Sequence, residues 1–328
     1  MITVQAPSRL HFGLFSLAAA AAWPDHDGRP VLPARRFGGV GLMIQRPGLQ
    51  LTLRPADAWS ANGPLAERAL REACSLAAAA DLPPQQITIE RTPPEHTGLG
   101  TGTQLALAVA QALTAAAGQS WDDAAALNAA RCLGRGQRSA LGLHGSCRGG
   151  FLVEGGQGAA GGVAPLLARQ DFPADWRIVL VLLPIQGLHG PAERAAFTHL
   201  QETPPPTAVT DALCRLALLG MLPALVERDL DAFGEALFDF NRRVGALFSA
   251  VQGGEYAHPA VADMVKYLRG QGLRGVGQSS WGPAVFAVAA DADRGAALVR
   301  QVRQQFNLSE DVVFCTAACN RGAAVQPN

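Results

Sequence analysis

The amino-acid sequence predicts an α+β fold in two domains, residues 1–170 and 171–328. Three observations carry that expectation. Short β-forming runs and apolar helical segments are interspersed without the regular strand–helix rhythm of a doubly wound sheet. The 328 residues are long for one core, and with 48% hydrophobic residues they can fill two interiors and are too apolar for a disordered chain. A break in composition near residues 155–175 sets the boundary.

The elements follow in order. Ile2 to Gln5 and Leu10 to Leu17 read as a strand and its continuation, joined by Pro7-Ser8-Arg9. Residues 18–39 form a Pro/Gly/charged insertion, either a lid or an ornament. Val40 to Ile44 and Leu49 to Arg54 are two strands around an Arg46-Pro47-Gly48 turn. A helix spans 64–80 with Pro64 at its start, and Ile87 to Arg91 alternates as a strand. A glycine-rich loop at 93–104 leads into an apolar helix, Leu105 to Ala117. A second helix spans 123–135, a strand ends at Glu154, a glycine-rich hairpin covers 155–162, and Arg177 to Pro184 is a buried strand. Helices near 207–227, 229–249, 258–271 and 291–305 and strands near 273–277, 284–289 and 311–316 complete the chain.

Composition excludes several classes of function. Lys+Arg equals Asp+Glu at 27 each, so no global field draws the chain to nucleic acid or an anionic membrane, and any anion site must be local. The first residues lack the basic and apolar regions of a signal peptide. The longest apolar run, Leu213 to Val226, is broken by Arg215 and Pro223, short of the roughly 18 residues of a membrane span. A cytoplasmic protein is expected. Cys74, Cys132, Cys147, Cys214, Cys315 and Cys319 then read as free, mostly buried thiols, and the Cys315/Cys319 spacing alone is a poor zinc signal.

The segment richest in chemistry is Pro93-Pro-Glu-His-Thr-Gly98-Leu-Gly100-Thr-Gly102-Thr-Gln104. Glycines at spacing two let backbone N–H groups turn inward, and the helix behind adds free amides and a positive dipole end. Together they suit a phosphate. Gly98, Gly100 and Gly102 would supply backbone, while Thr101, Thr103 and Gln104 add side-chain donors or Mg²⁺ ligands. The segment is neither a Walker A loop nor a dinucleotide fingerprint. Two further segments share this character. Pro7-Ser8-Arg9-Leu-His11-Phe is an early strand with three polar groups, and Gly275-Val-Gly277-Gln-Ser279-Ser280-Trp281-Gly282-Pro is a second glycine/serine loop.

In order and type, the three segments resemble the motifs of the GHMP kinase superfamily. That resemblance implies an N-terminal domain like the second domain of ribosomal protein S5, a ferredoxin-like C-terminal domain and an active site between them. Against the mevalonate-type kinases, Gly142 stands where the catalytic Asp is expected, Arg131 where a Mg²⁺-binding Glu is expected, and Gly102 replaces a loop Ser. All three changes remove metal-binding or proton-accepting groups, which phosphoryl transfer relies on.

The same segments, with Phe37-Gly-Gly-Val-Gly-Leu, Gly134-Arg135-Gly-Gln-Arg138-Ser139-Ala-Leu-Gly, Gly149-Gly-Phe-Leu-Val-Glu154 and Gly187-Leu-His189-Gly-Pro-Ala-Glu193, resemble β-ribofuranosylaminobenzene 5′-phosphate synthase. The resemblance implies condensation of 5-phosphoribosyl diphosphate with 4-aminobenzoate, release of CO₂ and pyrophosphate, a role in tetrahydromethanopterin biosynthesis, Mg²⁺ or another divalent cation, and a homodimer. The alternatives are a small-molecule kinase using ATP and a non-catalytic protein that binds a phosphorylated metabolite.

Four residues are expected to be catalytic: Arg9, His11, His96 and Arg138. Arg135 and Arg138 fit phosphate or carboxylate by their forked donors, or they are surface arginines. Ser8, Ser139, Gly277, Ser279 and Ser280 are expected at the substrate. His189 and Glu193 either orient the aryl substrate or form a surface pair. Trp281 either stacks on its ring or packs in the core. Thr101, Thr103 and Glu154 are the metal-ligand candidates.

Overall fold

Along the first strand, β1 (Ile2–Ser16), nearly every side chain is buried, the signature of a strand covered on both faces. In the computed structural model, which describes residues 1–17, 27, 35–80, 82–188, 190–202 and 207–327, β1 lies in a seven-stranded sheet. The other elements of this first lobe are β2 (Phe37–Pro55), β3 (Ser60–Asn62), α1 (Ala66–Ala80), β4 (Gln85–Arg91), α2 (Thr101–Ala116), α3 (Asp123–Cys132), α4 (Leu141–Arg148), β5 (Phe151–Glu154) and β6 (Leu166–Gln170). Pairing runs β1–β2–β4–β3, with β5 on the other end of β2 and β6 beyond it. Only β3 and β4 pair in parallel, joined by α1.

The second lobe begins with β7 (Arg177–Leu182), α5 (Gly190–Glu202), α6 (Thr207–Arg215), a π-helical turn (Leu216–Met221), α7 (Leu222–Glu227) and α8 (Leu230–Gln252). It continues through α9 (Pro259–Gly270), β8 (Val276–Gln278), β9 (Ala284–Ala289), α10 (Ala292–Phe306) and β10 (Val313–Thr316). The four strands form an antiparallel sheet in the order β10–β7–β9–β8. Taken with α9 and α10, this is the β–α–β–β–α–β ferredoxin-like arrangement, with α5 to α8 inserted after its first strand. The two helices cover one face: Val261, Met264, Leu268, Leu298 and Val302 pack on Val179, Val181 and Val285. The opposite face, through Ile178, Leu180 and Phe286, joins Leu10, Phe12 and Leu14 of β1 and Phe233 and Phe240 of α8 in one core. The lobes therefore share an interior.

Several expectations change. Ile2–Ser16 is one strand, as expected of a strand and its continuation, and residues 45–48 of β2 bulge out opposite Pro7 (Ala6 faces Leu49, Ser8 faces Ile44). The same bulge keeps β2 continuous through the expected turn. The insertion at 18–39 lies outside the described residues except for Asp27 and residues 35–39, and β2 already begins at Phe37. The helix expected from Leu105 starts at Thr101, because Gly100 takes a left-handed conformation (φ 73°) that ends the loop. Helix α4 and strands β3 and β6 were not expected. A last strand, β11 (Ala324–Pro327), returns to pair with Ile2 to Gln5, so the expected second unit 171–328 loses its end to the first sheet.

The run Thr207–Glu227 continues through Arg215 and Pro223 and has a mean hydropathy of 1.7, so by length and composition it could cross a membrane, contrary to the sequence expectation. The π-helical turn accommodates the break: Pro223 falls in the first turn of α7, where a missing N–H costs little. The run packs on α8 through Leu213, Ala217, Met221 and Leu225. The cysteines are free but none is buried: Cys74, Cys132 and Cys214 are exposed and the others half-buried.

Candidate active site

One hydroxyl joins the three motifs. Ser279 Oγ accepts the His11 amide at 3.0 Å and donates to the Gly98 carbonyl at 2.8 Å. The Ser280 amide donates back to the His11 carbonyl at 3.0 Å, and the Ala284 amide to Thr97 O at 3.2 Å. Glycine makes this approach possible: a Cβ on Gly282 would lie 2.0 Å from the Thr97 carbonyl carbon, and one on Gly98 2.1 Å from Ser279 O. Gly98 also has φ +87°, which disfavours any side chain. Asn241 of α8 completes the weld, donating to Phe12 O (2.7 Å) and Gln278 O (2.9 Å) and accepting the Gln278 amide (2.9 Å).

Between the lobes lie two connected chambers, of about 320 and 220 Å³. They share Gly100, Thr103, Arg135, Glu193, Ser280 and Trp281. The smaller is the loop side. Because α2 starts at Thr101, the first-turn amides of Thr101 and Gly102 have no partner within the helix and point their dipole end at this chamber. Arg68 of α1 lies over Gly102, where a Cβ would come within 2.2 Å of its guanidinium. Arg68 is held by Glu95 (2.8 Å) and Glu72 (3.3 Å). The same Glu72 oxygen takes Arg135 at 2.5 Å, so one buried carboxylate orients two arginines around the loop.

Arg9 enters the larger chamber against Gly100, and its Nε is buried without a hydrogen-bond partner. Burial pushes its pKa down to about 10 even though Glu154 and Glu193 oppose the shift. The group still carries its charge at neutral pH, so it is a desolvated cation awaiting an anion. His11 beside it is buried, with Nδ1 unpartnered. Burial, then the charges of Arg9 and Arg138, hold its pKa well below the ordinary value, which makes it a neutral imidazole.

The far part of the larger chamber is aromatic. Phe197 of α5 and Phe248 of α8 each stand 4.7 Å from the Trp281 ring, centroid to centroid. Arg138 lies 4.4 Å over Phe197 and pairs with Glu193 at 2.9 Å. Trp281 Nε1 is buried without a partner. An apolar slot with cations at one end suits a flat anion such as an aryl carboxylate.

The structure gathers Arg9, His11, Gly100, Thr103, Arg135, Arg138, Ser139, Glu193, Ser280 and Trp281 at the larger chamber. His96, Gly98, Thr101 and Gly102 line the loop side. Four other residues lie behind the walls. Ser8 donates to the Pro47 carbonyl within the bulge. Gln104, fully buried, donates to Gly142 O at 3.0 Å. Gly277 makes room for Asn241, and Ser279 is the staple. His189 lies outside the described residues. Glu154 is fully buried beneath α4, where it accepts the Ala140 amide at 2.5 Å; burial raises its pKa to about 7. The Thr101 hydroxyl donates to Pro94 O at 3.0 Å. Among the described residues no three His, Cys, Asp or Glu side chains gather as a metal cage. Glu154 and the Thr101 hydroxyl are taken up by these backbone contacts, while Thr103 lines both chambers.

Sequence reasoning missed Arg68, Glu72, Phe197, Asn241 and Phe248. Glu72 and Arg68 at helical spacing were the one available hint; the others sit singly on amphipathic helices.

An α+β pair of lobes with a glycine loop at the cleft defines the GHMP kinase class. Family profiles agree: GHMP kinases N terminal domain over residues 65–145 and GHMP kinases C terminal over residues 221–308. The chain belongs to the GHMP kinase superfamily. Within it, the chain is 29% identical to the β-ribofuranosylphenol 5′-phosphate synthase of Archaeoglobus fulgidus over 99% of this chain and 100% of that protein. It is likewise 29% identical to the protein of that name from Methanothermobacter thermautotrophicus, over 88% of each. The expected likeness to this synthase family holds. Among solved structures, a homoserine kinase from Cytophaga hutchinsonii superposes with a TM-score of 0.70 at 16% identity, covering 99% of this chain and 97% of that one. Mevalonate diphosphate decarboxylase from Staphylococcus aureus gives 0.61 at 14% identity, over 100% and 99%.

Proposed function

We propose that the protein is a decarboxylating ribosyl 5′-phosphate transferase, joining C1′ of 5-phosphoribosyl diphosphate to the ring of a para-substituted benzoate. The observation that carries this is the union of a desolvated arginine, Arg9, with an aromatic slot in one cleft. Mevalonate-type kinases carry a carboxylate base in this cleft; here Gly142 packs on Thr103 and Gln104 where that base is expected. The names of the relatives specify a ribofuranosylphenol product, so the acceptor class extends from 4-aminobenzoate to 4-hydroxybenzoate.

In this reading the loop amides, Arg68, Arg135 and Arg9 hold the phosphate groups and stabilise charge as pyrophosphate departs. The slot of Phe197, Phe248 and Trp281 stacks the acceptor so that its carboxylate-bearing carbon faces C1′. The C1′–O bond to pyrophosphate breaks as the ring carbon bonds to C1′. Loss of CO₂ then returns its electron pair to the ring, so no net proton transfer is required. Arg138 orients the carboxylate before it leaves. Neutral His11 adds no charge beside the developing oxocarbenium. Mg²⁺ enters as the counter-ion of the diphosphate substrate, and no step runs through a protein-held metal. Cytoplasmic location, a homodimer and a place in tetrahydromethanopterin biosynthesis complete the proposal.

The test combines the protein with Mg²⁺, 5-phosphoribosyl diphosphate and carboxyl-labelled 4-aminobenzoate or 4-hydroxybenzoate. Release of labelled CO₂ that requires both substrates, with the riboside mass, is expected. ATP consumption with a small alcohol and no CO₂ release would return the protein to the kinases. A trapped ribosyl–protein adduct would overturn direct displacement.

A further inference from the structure

The larger chamber does not end at the aromatic slot. It runs on to the loop between α8 and α9, where Glu255 and Tyr256 line it; neither reaches the loop-side chamber. That loop is built to a fixed position. Gln252 Nε2 donates to the carbonyls of Gly245 (3.1 Å), Gly254 (2.9 Å) and Glu255 (3.1 Å). The Ala257 amide donates to Gln278 Oε1 at 3.0 Å. A Cβ on Gly245 would lie 2.1 Å from Glu255 O, so glycine is what lets the loop close onto the helix. Phe248 follows Gly245 by three residues, on the same helix face, which puts Glu255 one helical turn from the slot.

Glu255 is under-used by the fold. Its side chain is 38% exposed, while its Oε1 is buried with no hydrogen-bond partner among the described residues. It forms a long ion pair with Arg242 Nε at 3.8 Å, and that arginine also pairs with Asp239 at 3.1 Å. A buried carboxylate oxygen lacking a donor is costly unless a ligand supplies one. Its neighbour Tyr256 has its pKa pushed up to about 12 by burial and then by the Glu255 charge, so the phenol keeps its proton.

Direction follows from the chemistry. The ring carbon that bonds to C1′ must lie toward the loop, Arg9 and Arg138. The substituent para to it then points the opposite way, along the slot toward α8 and α9. An aryl amine or phenol presents an N–H or O–H there, and a carboxylate can only accept. We infer that Glu255 selects the acceptor by taking a hydrogen bond from its para substituent. The inference rests on the aryl reading of the slot given above. The same bond would draw electron density toward the ring carbon that attacks.

The test is calorimetric titration of the full chain, without 5-phosphoribosyl diphosphate so that nothing turns over. The ligands are 4-aminobenzoate, 4-hydroxybenzoate and 4-(dimethylamino)benzoate; the last is electron-rich but has no para donor. The wild type is expected to bind the first two about 10- to 100-fold more tightly than the third. Glu255→Ala removes that preference by weakening the first two and leaving the third unchanged. Glu255→Gln, which keeps a carbonyl acceptor in the same shape, restores part of it. Pyrophosphate affinity stays at the wild-type value in both variants, which separates a lost contact from a lost fold. Equal binding of all three acids by the wild type, or an unchanged preference in Glu255→Ala, overturns the role of Glu255 and leaves the aryl slot standing. No binding by any aromatic acid overturns the slot, and this inference with it.

Discussion

The two ends of the cleft are made differently. The loop side is backbone: glycines jammed against carbonyls, helix-end amides, and arginines held by Glu72 and Glu95. The aryl side is side chain: Phe197, Phe248 and Trp281 packed on one another, with Glu255 beyond. A backbone site has few ways to change, whereas a side-chain site can be retuned one residue at a time. The difference predicts that substitutions of the packed loop-side glycines destroy fold and activity together, and that those on the aryl side change which acceptor is used.

The largest effect is expected from Gly282→Ala. Its Cβ would sit 2.0 Å from the Thr97 carbonyl carbon, and its three nearest atoms are all backbone. A loss of about 4 kcal/mol in urea unfolding is expected, with activity abolished. A small loss would mean that the two loops can part, and the contrast between the two ends would fail.

Next comes the pH dependence set by Glu154, beneath the loop side. In the folded chain it keeps its proton up to about pH 7, against 4.5 for an unperturbed carboxyl, because burial disfavours the charge. The folded state then binds more protons than the unfolded one between those values, so stability falls as pH rises through that window. The full contribution is about 3 kcal/mol. Glu154→Gln should remove that slope, read as the difference between wild-type and variant unfolding free energies from pH 4.5 to 8. Buried neutral His11 slopes the other way below its ordinary pKa but cancels in the difference.

Arg9→Met should weaken pyrophosphate binding about 100-fold while leaving stability unchanged or raised, since it removes a desolvated cation whose Nε has no hydrogen-bond partner among the described residues. Calorimetry and thermal melting on one sample check both halves. The smallest effect, about tenfold in acceptor KM with no change for 5-phosphoribosyl diphosphate, is expected for Phe197→Leu. That change keeps the bulk and loses the ring contacts with Trp281 and Arg138. Equal changes for both substrates would mean that the ends are not separable.

The same contrast explains what could be read in the sequence. The loop side depends on local features that a chain displays openly: glycines at close spacing, a helix behind them, a Ser-Ser-Trp turn. Their positions identified the motif and its superfamily before any coordinates. The aryl side has no local signature. Phe197 and Phe248 are ordinary apolar residues on two amphipathic helices, and only the tertiary fold brings both to Trp281. Glu154 shows the converse. A glutamate after an apolar strand suggested a ligand, yet its carboxylate caps α4, because a buried helix start needs an acceptor. Strand β11 escaped notice because four residues without alternation carry no period to detect.

Ser279 bears on motion as well as shape. It belongs to the second lobe but is bonded at once to β1 and to the glycine loop of the first. Asn241 and the shared Phe12–Phe286 contact clamp the same spot. No hinge can turn there without breaking buried polar bonds. The rim where α5 meets the first lobe is joined differently, by the Arg138–Glu193 pair, with both side chains partly in solvent, and by the Phe37–Phe197 ring contact. Any opening of the cleft is therefore expected at that rim rather than at the motifs.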